Sequence, residues 1–411
     1  LPVRFIEIKS EKRARHEMER IGVSPGGIPI MVPKQLHVSL KVEGLAPGRA
    51  NVMKQEMLSA GGEVAVSKGT ASCSVETTDA IISGTLSQFR ILTDKLRIQS
   101  FGLKEVAAAL EDALAKLGRR EFVIEGRSRS WTLGARTLVM GILNITPDSF
   151  YDGGRFFDAG AAVERALEMR ELGAEWIDVG GESTRPGAEP VAAAEEIRRV
   201  VPVIEAVSSR GVTVSIDTTK ARVAREALDA GAEIVNDVSA FSDPEMAGVC
   251  AEHKCPCILM HRRGTPGTMQ KETRYADLVS EVYNYLHSRL EYAGASGVDM
   301  EKTIVDPGIG FGKSLDGNIE LVGRLNEFRT LGRPILIGPS RKSFIGATLG
   351  GIGVEERLAG TVAVSTAAIM NGANILRVHD VKESREAADM ADAIRGEIFS
   401  EKTGHGDSAA F

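Results

Sequence analysis

Residues 211–240 read GVTVSIDTTKARVAREALDAGAEIVNDVSA, and this stretch decides how more than half of the chain is read. Gly211 precedes a short apolar run that ends on Asp217, an amphipathic segment follows, and Gly231 precedes a second apolar run that ends on Asn236. Apolar residues three and four apart predict a helix with one buried face; runs apolar at nearly every position predict strands covered on both faces, as in a parallel sheet. Glycine just past a helix predicts a left-handed cap, which it forms without the Cβ penalty.

The unit recurs on both sides. Gly173 before AEWIDVGG, Gly332 before RPILIGPS and Gly372 before ANILRVHD repeat it, and LVMGILNIT (138–146), CILMH (257–261) and TIVDPG (303–308) bring the apolar runs to eight. Eight β-α units in succession predict a (β/α)8 barrel over residues 126–400, with an open doubly wound sheet as the alternative. The barrel is favoured because closure leaves no edge strand. Asn144, Asp178, Asp217, Asn236, His261, Asp306, Lys342 and the pair Arg377 and His379 fall at or just past the ends of these runs. A single Asp or Asn there is usually a helix cap. Carboxylates, amides and cations together, converging on the C-terminal face of a barrel, predict a binding pocket.

Residues 1–125 lack the repeat. PKQLHVSLKVEGL, GEVAVSKGT and TDAIISGT alternate as strands, and PGRANVMKQEMLSAGG, LSQFRILTDKLRI and GLKEVAAALEDALAKLG carry helical periodicity, which predicts a smaller α+β N-terminal domain. REFVIEGRSRSWTLGART reads as a strand pair at the barrel's entrance, and residues 401–411 as a polar tail.

Composition narrows the function. Among 411 residues, 43% are apolar and 26% charged, enough to bury a core and too apolar for wholesale disorder. A net charge of −6 argues against a general nucleic-acid or membrane-surface binder, so any anion must be held by local basic groups. No apolar run is long enough for a membrane span. The chain opens on Leu1 without a signal-peptide pattern, implying that an upstream segment is missing, and the cytoplasm is the expected location. Cys73, Cys250, Cys255 and Cys257 are too few and too irregular for a disulfide framework and read as free thiols.

GIGFGKS (308–314) invites a phosphate-loop reading, but that motif needs glycine at 307, where Pro307 stands. What remains is a strand-end carboxylate, Asp306, followed by a loop whose glycines let a planar ligand approach the backbone. TPDSFYDGG (146–154) and GESTRPGA (181–188) read as mobile covers over the same face, carrying with the residues just beyond them Arg155 and Arg185. Arg377 and His379 alternate on one strand and so point to one side, where two donors together suit a phosphate or diphosphate.

LVMGILNITPDSFYDGG, WIDVGGESTRPGA, VSIDTTK, IVNDVSA, ILMHRRGTPGTMQ, IVDPGIGFGKS, IGPSRKSFIG and LRVHDV occur in an order and form that resemble the dihydropteroate synthases. The resemblance implies a transferase of folate biosynthesis that joins (7,8-dihydropterin-6-yl)methyl diphosphate to 4-aminobenzoate, with Mg2+ as its metal and a homodimer as its assembly. It implies a pterin pocket of Asp217, Asn236, Met260, Asp306, Gly338 and Lys342. Asn144, Arg185, Arg377 and His379 would hold the diphosphate, with Asn144 on the metal and Asp178 nearby. Phe150, Thr184, Arg185, Pro186, Phe311 and Ser343 would meet the aminobenzoate. Lys342, Arg377, His379 and Asp217 would carry the chemistry. Arg262 departs from the family's usual apolar residue and is expected to face solvent. The N-terminal domain shows no catalytic motif and is read as structural or as an assembly module. A pterin-binding methyltransferase module serving a corrinoid partner is the alternative within the fold, and a silent pterin-binding protein the alternative outside enzymology. The apolar helix ERLAGTVAVSTAAIMNG suggests a partner face.

Overall fold

The computed structural model describes residues 1–145, 151–152, 156–157, 159–183, 189–264, 267–269 and 273–397. The chain divides into two compact units, Leu1–Ala115 with Arg395–Phe411 and Lys116–Ile394.

The first unit holds helices α1 (Glu11–Arg20) and α2 (Ile28–Gln35), strand β1 (His37–Leu45), helix α3 (Pro47–Ser59), strands β2 (Glu63–Val66) and β3 (Thr78–Thr85), helix α4 (Leu86–Arg97) and most of α5 (Leu103–Gly118). The strands form an antiparallel sheet in the order β1-β3-β2. One face of the sheet, through Leu40, Val64 and Ile82, packs on Met53, Met57, Phe89 and Leu96 of the helices. Thr85 caps α4: its hydroxyl accepts from Gln88 N–H, and the Gln88 side chain accepts in return from Thr85 N–H.

The second unit begins with a hairpin, β4 (Phe122–Glu125) and β5 (Ser130–Leu133), and continues into β6 (Leu138–Asn144). A short pair, β7 (Tyr151–Asp152) and β8 (Phe156–Phe157), follows. Then come β9 (Trp176–Gly180), β10 (Thr213–Asp217), β11 (Ile234–Asp237), β12 (Cys257–Met260), β13 (Thr303–Asp306), β14 (Leu336–Ile337) and β15 (Ile375–Val378). Strands β6 and β9–β15 pair in parallel, each with its neighbour in the chain, and β15 returns to β6. A parallel bridge between Val305 and Ile335 joins β13 to the start of β14 and completes the ring. The covering helices are α6 (Ala159–Glu171), α7 (Ala193–Ser208), α8 (Ala221–Asp229), α9 (Met246–His253), α10 (Leu278–Ala295), α11 (Leu315–Gly323), α12 (Ser343–Thr348), α13 (Leu358–Met370) and α14 (Val381–Glu397). The expected helix-capping glycines Gly173, Gly211, Gly231, Gly332 and Gly372 all take positive φ.

Alternation along the strands sorts their side chains into two sets. Val139, Ile177, Val214, Val235, Leu259, Val305 and Leu376 face the helices. Leu138, Met140, Trp176, Ile234, Ile258, Ile304, Leu336 and Ile375 face the barrel interior and share a cluster with Phe122, Ile124 and Leu133 of the hairpin. Trp131 meets Trp176 edge to face at 5.2 Å, and Glu233 accepts from Ser128 N–H and Oγ–H at the hairpin turn. The hairpin therefore packs against the beginnings of the strands. This corrects its expected place: the pair lies at the end opposite the strand C-termini, because its apolar side chains match the apolar first layer of the interior.

All four cysteines are free thiols; Cys250, Cys255 and Cys257 are buried and Cys73 is exposed. Among the described residues no helix is long and apolar enough to cross a membrane.

Candidate active site

Two residues further along the inward-facing rows of β9, β11, β13 and β15, polar side chains replace the apolar ones, whereas β12 keeps an apolar one. From β9 the row reaches Asp178, from β10 Asp217, from β11 Asn236, from β12 Met260, from β13 Asp306 and from β15 Arg377. Parallel register sets Asp217 beside Asn236 and Met260 beside Asp306. Because side chains alternate with period two, the rows that bury Trp176, Ile234, Ile304 and Ile375 below must deliver Asp178, Asn236, Asp306 and Arg377 above.

Direct hydrogen bonds tie four of these together. Arg377 Nε donates to Asp178 Oδ2 and Nη2 to Asp217 Oδ2, each at 2.6 Å, and Asn236 Nδ2 donates to Asp178 Oδ2 at 2.9 Å. Asp178 is fully buried and Asp217 nearly so, yet Asp178 Oδ1 and Asp217 Oδ1 accept nothing among the described residues. Burial drives the Asp217 pKa well above the usual carboxylate range, with the Arg377 guanidinium opposing it and Asp178 adding to it. Burial works against the charge on Arg377, but the two carboxylates outweigh it and raise its pKa. Two buried acids with one shared cation and two uncommitted oxygens form an acceptor surface for ligand N–H groups.

A second group surrounds Asp306. Its Oδ1 accepts from Gly308 N–H at 2.7 Å, and burial lifts its pKa to about 6. Gly308 has φ +68°, and a Cβ there would lie 1.9 Å from the His261 carbonyl oxygen, so only glycine fits this turn. Lys342 extends along Gly310, where a Cβ would come within 2.9 Å of its Cδ, and its Nζ stands 4.1 Å from the centre of the Phe311 ring. That cation-π contact holds an ammonium over an aromatic face, from which its charge acts on Asp306.

The other predicted residues are placed as follows. Asn144 ends β6 in register with Gly180; a Cβ on Gly180 would be 3.8 Å from Asn144 Oδ1 and 3.5 Å from Asp217 Cβ, so glycine keeps this corner open. Gly338 stands next to Arg377. His379 lies one residue past the end of β15, where alternation stops, and its backbone N–H and Nδ1 both reach Ser340 Oγ, at 3.1 and 3.0 Å. Arg377 and His379 thus have separate partners. Ser343 is exposed as the first residue of α12. Arg341, beside Lys342, turns to Asp380 and Glu355. Arg262 is half-buried, and its charge acts on Asp237. Phe150, Thr184, Arg185 and Pro186 lie outside the described residues.

Sequence reasoning missed three participants. Ser340 orients His379. Lys220 holds both Glu182, on the segment leading to residue 184, and the buried Glu196 of α7. Lys313 is buried beneath the glycine loop. The signal for the last was available: a lysine inside a glycine-rich loop that fails the phosphate-loop pattern needs another partner.

Comparison with known proteins finds related sequences and structures over the second unit. A family model described as pterin binding enzyme matches residues 140–379. A probable bifunctional folylpolyglutamate synthase/dihydropteroate synthase of Halobacterium salinarum is 43% identical over 389 residues, 95% of this chain and 47% of the relative. The chain therefore spans about half the length of that relative. A dihydropteroate synthase of Synechocystis is 50% identical over 263 residues, 64% of this chain and 91% of that protein. Among solved structures, Xanthomonas albilineans dihydropteroate synthase with 4-aminobenzoic acid superposes with a TM-score of 0.63 at 41% identity, over 67% of this chain and 98% of that one.

Proposed function

Because the chain belongs to the dihydropteroate synthase family of pterin-binding enzymes, we propose that it condenses (7,8-dihydropterin-6-yl)methyl diphosphate with 4-aminobenzoate to give 7,8-dihydropteroate and diphosphate. The observation that carries this reading is Asp217, buried at its strand end and held by Arg377 through one oxygen, with the other left for a ligand N–H. An aminopyrimidinone edge presents such donors. Asp217 and Asp306 would accept them, Asn236 would complete the hydrogen-bonding edge, Met260 and Gly338 would border the ring, and Lys342 would donate to its carbonyl or imine side.

The chemistry asks little covalent work of the protein. The C–O bond between the pterin methylene and the diphosphate breaks, and its electron pair leaves with the diphosphate. The dihydropterin ring shares the resulting positive charge until the aniline nitrogen bonds to the methylene and releases a proton. Preorganised charge and exclusion of water then supply the acceleration. Nε and Nη2 of Arg377 are committed to the aspartates, which leaves Nη1 for a diphosphate oxygen; His379, held by Ser340, would serve the same group. The implied Mg2+ suits the donors present, since Asn144 and the nearby Asp178 offer only oxygen, and it would neutralise diphosphate charge. Among the described residues no group of three or more acidic, His or Cys side chains is set to hold a metal, so water and substrate oxygens would complete its shell.

A homodimer and a cytoplasmic location belong to the same reading. Support for the dimer comes from α13, which exposes Ala359, Ala363, Ala367 and Met370, while Leu315 and Ile319 of α11, which packs on it, are also exposed. The N-terminal unit is proposed as a separate α+β assembly module. The Halobacterium relative, which bears a folylpolyglutamate synthase in its name, aligns over 95% of this chain and so reaches through most of that unit; the Synechocystis synthase aligns over 64%.

Dihydropteroate and diphosphate formation from the two substrates with Mg2+ tests the function, and well-folded protein that yields neither would end it. In the same assay Asp217→Asn is expected to weaken binding of the pterin diphosphate by about 2 kcal/mol or more, the scale of a buried charge-assisted hydrogen bond, with little loss of fold. Unchanged affinity by calorimetry would remove Asp217 from the pocket. A truncated chain beginning at Glu121 keeps the hairpin and every described site residue. It is expected to retain kcat/KM within about threefold, the scatter of a change distant from the chemistry; a loss of tenfold or more would give the N-terminal unit a part in catalysis.

A further inference from the structure

The glycine loop after β13 is fastened by a side chain that no substrate assignment uses. Lys313 is 4% exposed, and its Nζ lies 2.9 Å from His261 Nδ1, 2.8 Å from the Gly308 carbonyl and 3.0 Å from the Phe311 carbonyl. An ammonium has three N–H groups, and these three acceptors meet them, with the His261 carbonyl oxygen a longer fourth contact at 3.4 Å. His261 is the complementary partner. Burial, with the positive charges of Lys313 and Arg263, holds its pKa down to about 2, so the ring is neutral, and in the tautomer protonated on Nε2 its Nδ1 accepts from the ammonium. Tyr285 packs edge-on against the imidazole at 4.9 Å and keeps its plane fixed.

An ammonium buried this deeply is costly unless each N–H is matched, and here the match is complete. Burial still lowers the Lys313 pKa to about 7, with Asp306 acting to restore it. The three acceptors belong to three places: the end of β12, the first turn of the glycine loop and its tip. One side chain thus ties two adjacent strand ends to a loop that has no regular hydrogen-bond ladder. The loop's outer side is held by Asn318, whose Oδ1 accepts from Gly310 N–H at 2.6 Å.

The parts pinned by Lys313 are those that support Lys342. Its alkyl chain rests along Gly310, and its ammonium stands over the ring of Phe311, whose carbonyl Lys313 holds. Asp306 takes the N–H of Gly308, whose carbonyl Lys313 also holds.

We propose that Lys313 is a positioning residue for pterin recognition: with neutral His261 it fixes the loop of residues 307–313 so that Phe311 and Gly310 present the Lys342 ammonium beside Asp306. The proposal rests on the synthase reading for the identity of the ligand. Its geometric content, that Lys313 acts through Lys342, is tested separately from turnover.

The test is a double-mutant cycle on the full chain, reading the Kd of the pterin diphosphate by calorimetry. Lys313→Met is expected to raise Kd by about 30-fold in the wild-type background and by less than about threefold when Lys342→Met is already present, because directly coupled side chains fail to add. Equal losses in both backgrounds would overturn the proposal and leave Lys313 a purely structural residue. Should Lys313→Met not fold, His261→Phe removes one acceptor and keeps the lysine. It is expected to raise Kd by about tenfold, again only when Lys342 is present, and an effect that ignores Lys342 would overturn the proposal equally. Wild-type protein that binds the pterin but makes no dihydropteroate would defeat the synthase reading and leave the cycle's outcome intact.

Discussion

Arg377→Met is expected to lower turnover by about 1,000-fold, the scale of losing a preorganised donor in a water-excluded site, and to cost about 3–5 kcal/mol of stability near neutral pH, the scale of breaking a buried ion pair. The two effects share a cause. Arg377 is the cation hydrogen-bonded to both Asp178 and Asp217, and without it two carboxylates remain buried together. The Asp217 pKa then rises further, because burial and repulsion from Asp178 act without the guanidinium to oppose them. An acid whose folded-state pKa is raised binds more protons folded than unfolded, so stability falls as pH rises from the unfolded value towards the folded one. The deficit of Arg377→Met should therefore shrink as the pH is lowered towards 4, where the unfolded carboxyls protonate as well. Urea unfolding at pH 7.5 and pH 5 decides it. A deficit equal at both values would mean that Arg377 contributes packing and not charge. Lys in its place should recover only part of the loss, since one ammonium does not span two carboxylates as a guanidinium fork does.

Gly308→Ala is the second large effect. Its backbone has φ +68°, and the new Cβ would stand 1.9 Å from the His261 carbonyl oxygen, so either the loop or the end of β12 must move. The expected cost is about 3 kcal/mol or more, above the 1–2 kcal/mol of left-handed backbone alone. Pterin affinity should fall with it, because Gly308 N–H binds Asp306 and its carbonyl binds Lys313. Gly211→Ala is the control. Its φ is +74°, but no atom lies within 4 Å of the added Cβ, so only the backbone term of about 1 kcal/mol applies and pterin binding should be unchanged. Chemical denaturation of both variants, with calorimetry for the ligand, separates clash from conformation. Equal costs for the two glycines would show that the loop yields freely and that the close approach has no role.

Much of this architecture was legible because its causes are local. The continuous apolar run CILM marks a strand buried on both faces, and Gly231 marks where α8 must end, so the eight strands are legible from sequence, with closure into a barrel favoured over an open sheet. The pocket was legible for the same reason: once Trp176, Ile234 and Ile375 face inward, Asp178, Asn236 and Arg377 follow by parity. What sequence left hidden depends on distance in space. Nothing in RVHDV says that Arg377 will meet aspartates 160 and 199 residues away. The lysine of GFGKS carries no mark that an imidazole 52 residues earlier will accept from it. The hairpin of residues 122–133 was recognisable as a strand pair, but which end of the barrel it meets is set by interior side chains contributed by seven strands.

That hairpin has a consequence for traffic. With Phe122, Ile124, Leu133 and the two tryptophans filling the floor, the described residues close the end where the strands begin, and Asp217 and Asp306 stand at the opposite end. Under the proposed reaction, both substrates would enter and both products leave at that opposite end. On the same reading the pterin would be seated at the strand ends before the amine arrives over it, and the next pterin would wait until dihydropteroate has left. Turnover then behaves as a queue, and an aromatic molecule lodged near the rim would stop it without touching the residues that do the chemistry.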